Sequence, residues 1–424
     1  MLDLKFIRSN AALIQDVCDR RGIKFDVQKL LAVDRQRSKL LMEVESIRGQ
    51  ANKAASAAGS ASGSERAALF REGAQFKREV KIVEELLAVL EDQWLSLRKQ
   101  VPNLLDDDVP SGETDASSVE MAVYGDRPSY SFQAKDHIAL SGRLGLDFDA
   151  GARIAGTGFP LMRGKLAHLE QALLRFAVDE AVQQGFELVN VPLLAKMTTL
   201  EGLGFNPRRD DSGTEIFSTV QDGLCLAGTA EIPLVGQFSD QIVDLSSGPI
   251  KLVAMSPCFR REGAAGRRDA GLYRNKMFWK TELVMLATPE QSKELLEEIR
   301  SFQVGLFNKL ELHFRVINIA SGDLGAPAFK KYDLEAWMMG RNSSDPAGSG
   351  WGEVTSCSNC TDYQSRRLNI RSRATTANLE FVHTLNGTAV TTRALIPILE
   401  QFQRADGTVV IPRVLRKYLG VDTI

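Results

Sequence analysis

The chain lacks several features that would assign it to a simple class of protein. It has only five cysteines in 424 residues, which fits reduced thiols better than a disulfide framework. No stretch approaches the roughly 18 consecutive apolar residues of a membrane span. The opening residues MLDLKFIRSN contain an early acid and no apolar core, so neither a secretory signal nor a transit peptide is predicted. We therefore expect a cytoplasmic protein.

Charge of one sign is not in excess either. The 52 lysines and arginines nearly balance the 54 aspartates and glutamates, and the formal net charge is −2. A protein held on nucleic acid by its overall charge is usually clearly basic, so this total argues against such a partner. The hydrophobic fraction of 44% and the charged fraction of 25% are those of a globular protein. The length predicts two or three domains.

Familiar catalytic motifs are also missing. The sequence contains no GxxxxGK[ST] loop, and AGTGFPL (155–161) lacks the last glycine of GxGxxG. It has no GxSxG elbow, and its four histidines are scattered without metal-ligand spacing. Cys357 and Cys360 form a lone CxxC, for which buried free thiols are a better interpretation than a zinc or redox site.

Two helical segments dominate the first hundred residues. Apolar residues recur at spacings of three and four from Leu30 to Ala54 and again from Phe76 to Val101. This pattern is typical of coiled coils. The Gly/Ser/Ala-rich segment AASAAGSASGSE lies between the two series. We therefore expect an antiparallel helical hairpin with arms about 40 Å long.

The charge of this hairpin is uneven. Between Arg48 and Lys81, seven basic residues accompany three acidic ones, whereas acids gather at the base. The basic residues are Arg48, Lys53, Arg66, Arg71, Lys77, Arg78 and Lys81. A protruding basic tip fits the phosphates of a polyanion better than it fits a partner helix. A dimerisation coiled coil stays open as the alternative.

Beyond the hairpin, the composition predicts a linker and a second domain. The proline- and acid-rich stretch LLDDDVPSGETDASS interrupts the heptad pattern. We place a first domain at 1–103, the linker at 104–118 and a second domain at 119–424. Several predicted strands of this domain follow one another without a helix between them, which favours an α+β fold on a mostly antiparallel sheet. Helices are expected at 165–184, 288–310, 359–371 and 391–403, and strands at 187–194, 250–260, 277–286, 314–320, 331–338, 352–357 and 379–385.

Charged residues on or beside predicted strands are the remaining candidates for chemistry. A strand runs into Arg260-Arg261-Glu262, and inside a sheet Arg260 and Glu262 point to the same face. A Gly/Arg-rich loop follows, and the next predicted strand carries Phe278 and Glu282. Taken singly, each charge is most simply a solvated group or an ordinary salt bridge.

Two further segments complete the set. Glu353-Val-Thr-Ser356 alternates acid and hydroxyl groups on a strand, and Leu385-Asn-Gly-Thr388 leads into a helix that bears Arg393. Arginine clamps, a carboxylate–hydroxyl pair suited to Mg²⁺ and an aromatic that stacks on a base are the parts of a nucleotide site. Together these residues predict such a site without a P-loop.

These segments resemble those of seryl-tRNA synthetases, a family of class II aminoacyl-tRNA synthetases, nearly from end to end. MLDLKFIRSN, the two-helix arm and VPNLL are similar to the family's tRNA-binding arm. GFELVNVPLL resembles motif 1, PCFRREG with RDAGLYRNKMF resembles motif 2, and NGTAVTTRALIPILEQFQRADGTVVIPRVLRKYLG resembles motif 3 and the C-terminal signature. GTAEIPL is similar to the serine-binding loop, and GEVTSCSNCTDYQSRR to the ATP and Mg²⁺ segment.

The resemblance implies a homodimeric enzyme that uses ATP and Mg²⁺ to activate L-serine and then transfers the seryl group to tRNA(Ser), bound through the N-terminal arm. Catalytic roles fall on Arg260, Glu262 and Arg393. It assigns ATP to Arg260, Arg261, Glu262, Phe278, Glu353, Val354, Thr355, Ser356 and Arg393. It assigns serine to Thr229, Ala230, Glu231, Arg260, Glu282 and Thr388, and Mg²⁺ to Glu353 and Ser356.

Four features depart from the family pattern. The stretch from Asn386 to Arg393 is one residue shorter than usual, and Lys276-Met277 stands where His-Gln is common. The tip of the arm is richer in Ala, Ser and Gly than expected, and NSSDPAGSGWG (342–352) is inserted before the metal segment. Two alternatives therefore stay open. One is a duplicated synthetase that serves antibiotic biosynthesis or self-resistance, and the other is a non-catalytic paralogue that acts as an interaction protein.

Overall fold

The computed structural model describes residues 1–205, 216–262, 270–344, 350–373 and 379–424. The Gly/Arg-rich loop after Glu262 and the middle of the 342–352 insertion lie outside the described residues. The chain divides into two compact units, Met1–Pro102 and Asn103–Ile424. No helix within the described ranges is long and apolar enough to cross a membrane.

The first unit is helical. It consists of α1 (Leu4–Ser9), α2 (Ala11–Arg20), α3 (Val27–Ser60) and α4 (Gly63–Gln100). The carboxylate of Asp26 caps α3 by accepting two N–H bonds from its first turn, at 2.8 and 3.2 Å. Only Ala61 and Ser62 separate the long helices, so the reversal is much shorter than the AASAAGSASGSE segment. The alanines of that segment favour helix, and α4 begins at Gly63 with φ +59°.

The two long helices form the expected antiparallel hairpin. Arg37 pairs with Glu91 at 3.0 Å and Arg48 with Glu84 at 2.5 Å. As the residue number increases along α3, that of its partner on α4 decreases, so the two helices are antiparallel. An apolar cluster joins the helices between these pairs, made of Val44, Val83 and Leu87 with Leu40, Leu41, Ile47 and Val80 around them. Closer to the reversal the buried residues of α3 are only alanines.

The second unit is α+β and contains ten helices and fifteen strands in the described part of the chain. The helices are α5 (His137–Leu144), α6 (Phe148–Ala155), α7 (Gly164–Gln183), α8 (Met197–Leu203), α9 (Glu231–Gly236), α10 (Ser292–Lys309), α11 (Met339–Ser344), α12 (Tyr363–Leu368), α13 (Leu395–Gln401) and α14 (Arg413–Leu419). The strands are β1 (Val119–Tyr124), β2 (Leu146–Asp147), β3 (Leu161–Met162), β4 (Glu187–Leu188), β5 (Leu194–Lys196), β6 (Leu224–Leu226), β7 (Ile242–Val243), β8 (Ile250–Phe259), β9 (Met277–Ala287), β10 (Phe314–Asn318), β11 (Lys330–Trp337), β12 (Trp351–Asn359), β13 (Arg371–Arg373), β14 (Leu379–Phe381) and β15 (His383–Thr391).

An eight-stranded sheet organises this unit, in the order β1-β10-β11-β12-β15-β9-β8-β4. All neighbours are antiparallel except β4 and β8, which confirms the expected mostly antiparallel sheet. Helices α7 and α10 cover one face, where Leu169, Leu173, Ile299 and Phe307 join the apolar core. On the opposite face Leu252, Val284 and Leu286 join a second apolar cluster with α8 and α9, and buried polar side chains such as Glu282 and Thr388 lie beside it.

A bulge in β12 changes which of its residues share a face. On the neighbouring β11, Leu334 pairs with Thr355 and Glu335 with Glu353, so Val354 is an extra residue. A bulge shifts the alternation of side chains by one position. Residues three apart, Glu353 and Ser356, therefore point to the same side of the sheet.

A second bulge lies in β15. Thr388 pairs with Glu282 and Val390 with Thr281, so Ala389 is the extra residue. Thr388 and Thr391 consequently share the face that Glu353 and Ser356 occupy. The two bulged strands are neighbours, and their regular pairing covers only 357–359 against 385–387.

Several predicted elements differ from the structure in extent. The strand expected at 187–194 pairs with the main sheet only at Glu187–Leu188, and the helix expected at 359–371 shrinks to Tyr363–Leu368. Strand β8 ends at Phe259, so the prediction that Arg260 and Glu262 share a strand face was wrong. Glu262 has φ +34°, a left-handed conformation that is incompatible with continuing an extended strand.

Candidate active site

A cavity of about 430 Å³ lies over the exposed face of the bulged strands. The sequence-predicted residues that line it are Thr229, Glu231, Arg260, Glu262, Phe278, Glu282, Glu353, Val354, Thr355, Ser356, Thr388 and Arg393. Two candidates lie elsewhere. Arg261 is exposed, and Ala230 is fully buried in an apolar cluster with residues of α8 and α9. The fold thus brings together predicted residues as far apart in the chain as Thr229 and Arg393.

One end of the cavity is organised around Arg393, which lies in the short turn between β15 and α13. Its Nη1 donates to the Oε2 of Glu353 at 3.2 Å and to the main-chain oxygen of Glu353 at 3.0 Å. Its Nε donates to the main-chain oxygen of Tyr273 at 3.0 Å. The guanidinium carbons of Arg393 and Arg341 lie 4.4 and 4.2 Å from the centroid of the Tyr273 ring. These contacts orient the Arg393 guanidinium in advance of any ligand.

The ionisation of Glu353 is set by its neighbours. Partial burial disfavours the charged form, but the charges of Arg393, Lys331 and Arg260 outweigh that cost and lower the pKa of Glu353 to about 2. Glu353 is therefore a carboxylate at neutral pH. A group that must hold a cation has to be charged in this way.

Other hard oxygen donors lie on the same side of the sheet as Glu353. Ser356 shares its side of the sheet, and Asp333 lies opposite Ser356 on β11. The Oδ2 of Asp333 accepts from the Nζ of Lys331 at 2.9 Å, while its buried Oδ1 has no hydrogen-bond partner among the described residues. Carboxylate and hydroxyl oxygens are the donors that Mg²⁺ takes, so Glu353 and Ser356, which line the cavity, fit that ion. Asp333 does not line the cavity, and burial raises its pKa to about 7. No group of three or more His, Cys, Asp or Glu in the described ranges forms a metal cage, so substrate oxygens would have to complete the coordination.

Arg260 occupies the wall beside the end of β8. Its Nε donates to the main-chain oxygen of Gly228 at 3.3 Å, and its guanidinium carbon lies 5.3 Å from the centroid of the Phe278 ring. Glu262 accepts from the Nε of Arg274 at 2.6 Å. The guanidinium of Arg260 therefore lies over the ring of Phe278 as a cation–π pair.

A buried ion pair forms the floor at Glu282. The Nζ of Lys280 lies 2.5 Å from the Oε2 of Glu282, and the two side chains are only 6% and 2% exposed. The hydroxyl of Thr388 donates to the same oxygen at 3.2 Å. The hydrogen bonds that described residues make to Glu282 thus fall on Oε2, which leaves Oε1 as an acceptor for a ligand hydroxyl.

Glu231 provides a second carboxylate nearby. It lies at the start of α9 and accepts from the amides of Gln364 at 2.8 Å and Asn386 at 3.0 Å. The backbone N–H of Glu231 also donates to the hydroxyl of Thr229 at 3.2 Å. Burial and the charge of Glu282 raise the pKa of Glu231 to about 7. Together, Thr229, Glu231 and Glu282 make this part of the cavity a site for a cationic, hydroxyl-bearing ligand.

Sequence reasoning missed several residues of the cavity. Lys280, Lys331 and Asn386 all line it, as does Tyr273. Lys280 had a usable signal, because it lies two positions before Glu282 on the same predicted strand and must share its face. Tyr273 had none, since its role depends on its contacts with two arginines from other segments. Despite the short stretch from Asn386 to Arg393, Thr388 and Arg393 contact Glu282 and Glu353 respectively.

Two protein-family models match this chain, and the first defines its class. A family model described as the tRNA synthetase class II core domain (G, H, P, S and T) matches residues 216–402, the segment that contains most of the cavity. The mostly antiparallel sheet and its charged cavity are those of a class II aminoacyl-tRNA synthetase. A second family model, the seryl-tRNA synthetase N-terminal domain, matches residues 1–105.

Whole-chain comparisons are more specific. Serine--tRNA ligases of Rhodopirellula baltica and Rubrobacter xylanophilus are 43% and 41% identical to this chain, covering 100% of it and 99% of each relative. The solved seryl-tRNA synthetase of Pyrococcus horikoshii complexed with ATP matches with a TM-score of 0.87 at 34% identity, over 100% of this chain and 99% of that one. The cytoplasmic serine-tRNA ligase of Naegleria fowleri in complex with AMP gives a TM-score of 0.84 at 26% identity, over 100% and 98%. The chain belongs to the seryl-tRNA synthetase family.

Proposed function

We propose that this protein is a serine--tRNA ligase, which activates L-serine with ATP and transfers the seryl group to tRNA(Ser). The observation that carries the proposal is a single sheet face that holds two chemically distinct sites side by side. Arg260, Arg393 and Glu353 form the end suited to a triphosphate, and Glu231 and Glu282 form the end suited to an amino acid with a hydroxyl. Relatives named serine--tRNA ligase over their full length support it.

The triphosphate end neutralises negative charge. In the proposal Arg260 contacts the α-phosphate and the serine carboxylate, Arg393 contacts the γ-phosphate, and Phe278 stacks on adenine. Glu353 and Ser356 would hold Mg²⁺, which would neutralise phosphate charge when bound. The contacts of Arg393 with Glu353 and Tyr273 support this, because they leave the guanidinium little reorganisation to do when ATP arrives.

The end of the cavity formed by Glu231 and Glu282 binds the hydroxyl and the ammonium group of serine in the proposal. Thr229 and Glu231 take the ammonium, while Oε1 of Glu282 and the hydroxyl of Thr388 take the serine side chain. Alanine fills the same space without a hydroxyl, so it leaves these buried polar groups unpaired. A site built to bond a hydroxyl rejects such an analogue strongly, on the order of 10⁴-fold.

The reaction needs positioning more than a protein base. A serine carboxylate oxygen attacks the α-phosphorus, the bond to the β-bridging oxygen breaks, and pyrophosphate leaves with that electron pair. The carboxylate is already ionised, so no proton has to be removed in this step, and the arginines stabilise the charge that accumulates. A ribose hydroxyl at the 3′ end of tRNA then attacks the seryl carbonyl carbon, and the bond from that carbon to the phosphate oxygen breaks. AMP leaves with that electron pair, and the hydroxyl proton passes to a phosphate oxygen of AMP.

The remaining parts of the proposal concern partners. The exposed basic residues of the distal hairpin bind the tRNA backbone, and the motif 1 segment with Pro192 joins two copies into a homodimer. Exposed apolar side chains on that segment support the second point, since Leu188, Leu193 and Leu194 are 41%, 36% and 40% exposed. Light scattering decides the oligomeric state, and a mass of one chain excludes the dimer.

ATP–pyrophosphate exchange across the twenty amino acids tests the central proposal. We expect exchange with serine and at most trace exchange with alanine, threonine and the others. Charging of purified tRNAs follows, and acceptance by tRNA(Ser) is expected. Absence of serine-dependent exchange refutes the activation step, and exchange without charging refutes the transfer step.

A further inference from the structure

We propose that Gln303, a residue of helix α10 on the opposite side of the sheet, is a positioning residue. Its amide fixes the position of β12, which carries the proposed metal ligands, relative to β15, which carries Thr388 of the proposed serine site. The inference rests on the proposed function and deepens it. Gln303 has no exposed surface and does not line the cavity. It therefore acts through other groups and touches no substrate.

The contacts of Gln303 fall on both bulged strands. Its Nε2 lies 2.9 Å from the hydroxyl of Thr355 and 2.8 Å from the main-chain oxygen of Ser356, both on β12. The same nitrogen lies 2.8 Å from the main-chain oxygen of Thr388 on β15. The hydroxyl of Thr355 also donates to that oxygen of Thr388. One amide thus joins the strand that carries Ser356 to the strand that carries Thr388.

This amide replaces hydrogen bonds that the sheet lacks. Regular pairing of β12 with β15 covers only 357–359 and 385–387, and both bulges begin just beyond it. Buried carbonyl groups without a donor are costly, so the Gln303 amide satisfies the strands where they separate. The amide also fixes the separation of β12 and β15 at this point. That separation sets the distance between Ser356, the proposed ligand of Mg²⁺, and Thr388, the proposed partner of the serine hydroxyl.

The close approach of α10 depends on a glycine. A Cβ at Gly387 would lie 2.4 Å from the Cγ2 of Ile299 and 3.6 Å from the Nε2 of Gln303. The first distance is shorter than real contacts allow, so the side chain of Ile299 on α10 must shift, and the added Cβ would also lie 3.2 Å from the Cβ of Cys357 on β12. Gly387→Ala therefore disturbs the packing of α10 and β12 around Gln303 without altering its side chain.

A matched control exists elsewhere in the same unit. Gln401 is a buried glutamine whose Nε2 donates to the main-chain oxygens of Trp337 at 2.8 Å and His313 at 3.2 Å. None of these three residues lines the cavity. Gln401→Met thus removes a comparable buried amide and reports the general cost of such a change.

The test compares Gln303→Met with Gln401→Met in the full-length protein. Both variants are expected to melt at lower temperature than the wild type. For Gln303→Met we expect about tenfold increases in the serine KM and in the Mg²⁺ concentration for half-maximal exchange, because small misplacements of ligands are costly. In calorimetric titrations with ATP, Mg²⁺ should raise the ATP affinity of Gln303→Met less than it raises that of the wild type. For Gln401→Met both values should stay within about twofold of the wild type.

Two results overturn the inference: equal kinetic changes in both variants, or a shift of only one of the two parameters in Gln303→Met. Should Gln303→Met fail to fold, Gly387→Ala is measured against the same control, and a paired but smaller shift is expected. An unchanged serine KM and Mg²⁺ requirement in Gly387→Ala then contradicts the inference. A wild type without serine-dependent exchange refutes the proposed function instead, whatever the variants do.

Discussion

The helical hairpin and the catalytic sheet each contain an ion pair, and these two pairs lie in opposite environments. In the hairpin, Arg48 and Glu84 form an ion pair whose side chains are 62% and 39% exposed, and an apolar seam lies between the helices. In the sheet, Lys280 and Glu282 form a pair whose side chains are 6% and 2% exposed. The sheet has given up hydration at these groups, and the hairpin has not.

This difference separates two uses of charge. Buried charges act at fixed positions in a medium of low dielectric, so they orient small ligands strongly but cannot be removed without large cost. Exposed charges contribute little to stability and remain available to an external polyanion. Substitutions of the buried charges in the cavity should therefore change stability and activation together, whereas substitutions of exposed charges in the hairpin should act mainly on association.

The largest effect is expected from Lys280→Met. The change leaves the carboxylate of Glu282 buried without its cation, and breaking a buried pair costs about 3–5 kcal/mol. It also releases the oxygen that Lys280 and Thr388 hold, so the serine KM should rise more than the ATP KM. Chemical denaturation and pyrophosphate exchange measure the two effects.

Lys251→Met is the matched control for this variant. Lys251 pairs with Glu298 at 2.6 Å, but the side chains are 22% and 41% exposed, so a loss below about 1 kcal/mol is expected. Equal losses in the two variants would contradict the contrast between buried and exposed charge.

The next effect concerns the distal hairpin. The triple change of Lys77, Arg78 and Lys81 to Glu reverses three exposed charges. We expect kcat/KM for tRNA charging to fall about 10- to 100-fold and its dependence on salt to weaken, since each phosphate contact adds to the salt slope. Pyrophosphate exchange should be unchanged.

Lysines at the base of the same unit supply the control. Lys5, Lys24 and Lys29 are equally exposed but lie far along the chain from the reversal. Changing them to Glu alters net charge by the same amount. If this control lowers tRNA charging as much as the distal change, overall charge rather than the basic tip governs association.

A smaller effect follows from the ionisation of Glu231. Burial and the charge of Glu282 raise its pKa to about 7, so the folded protein holds this proton more tightly than the unfolded chain does. The contribution to stability is therefore full below about pH 4.5 and is lost as the pH rises through 7. In the proposed site the serine ammonium binds the carboxylate of Glu231, so the serine KM should fall about tenfold between pH 6 and pH 8.

The pH series is run on the wild type and on Glu231→Gln. The variant keeps a neutral side chain of the same shape beside Gln364 and Asn386, so its serine KM should be higher and nearly independent of pH in this window. Glu231 is excluded as the titrating group if the serine KM of the wild type does not change with pH, or if Glu231→Gln shows the same change.

The two regions also differ in how far sequence reasoning reaches. The hairpin follows from a local apolar period, and its antiparallel pairing was predicted correctly, although alanine-rich residues extended the helices and shortened the turn. The cavity depends on bulges at Val354 and Ala389, which turn residues three apart to one face. No local period signals an extra residue in one strand, because it is defined only by the partner strand.

Family resemblance therefore named residues that periodicity could not group. Strict alternation puts Glu353 and Ser356 on opposite faces, yet both line the cavity. Neither periodicity nor family resemblance indicates Gln303, because its proposed role rests on hydrogen bonds to main-chain atoms of two strands. Only the arrangement in space reveals such a contact.

The smallest effect is expected from Arg48→Ala in the hairpin. The guanidinium and the carboxylate of Glu84 keep much of their hydration, so their 2.5 Å contact should contribute less than about 1 kcal/mol, and less still at high salt. Thermal unfolding at low and high salt measures this contribution. Loss of one positive charge should reduce tRNA charging only slightly, because the neighbouring basic residues remain. A loss of stability comparable to that of Lys280→Met would show that an exposed pair can matter as much as a buried one, and the distinction between the two regions would then have to rest on geometry alone.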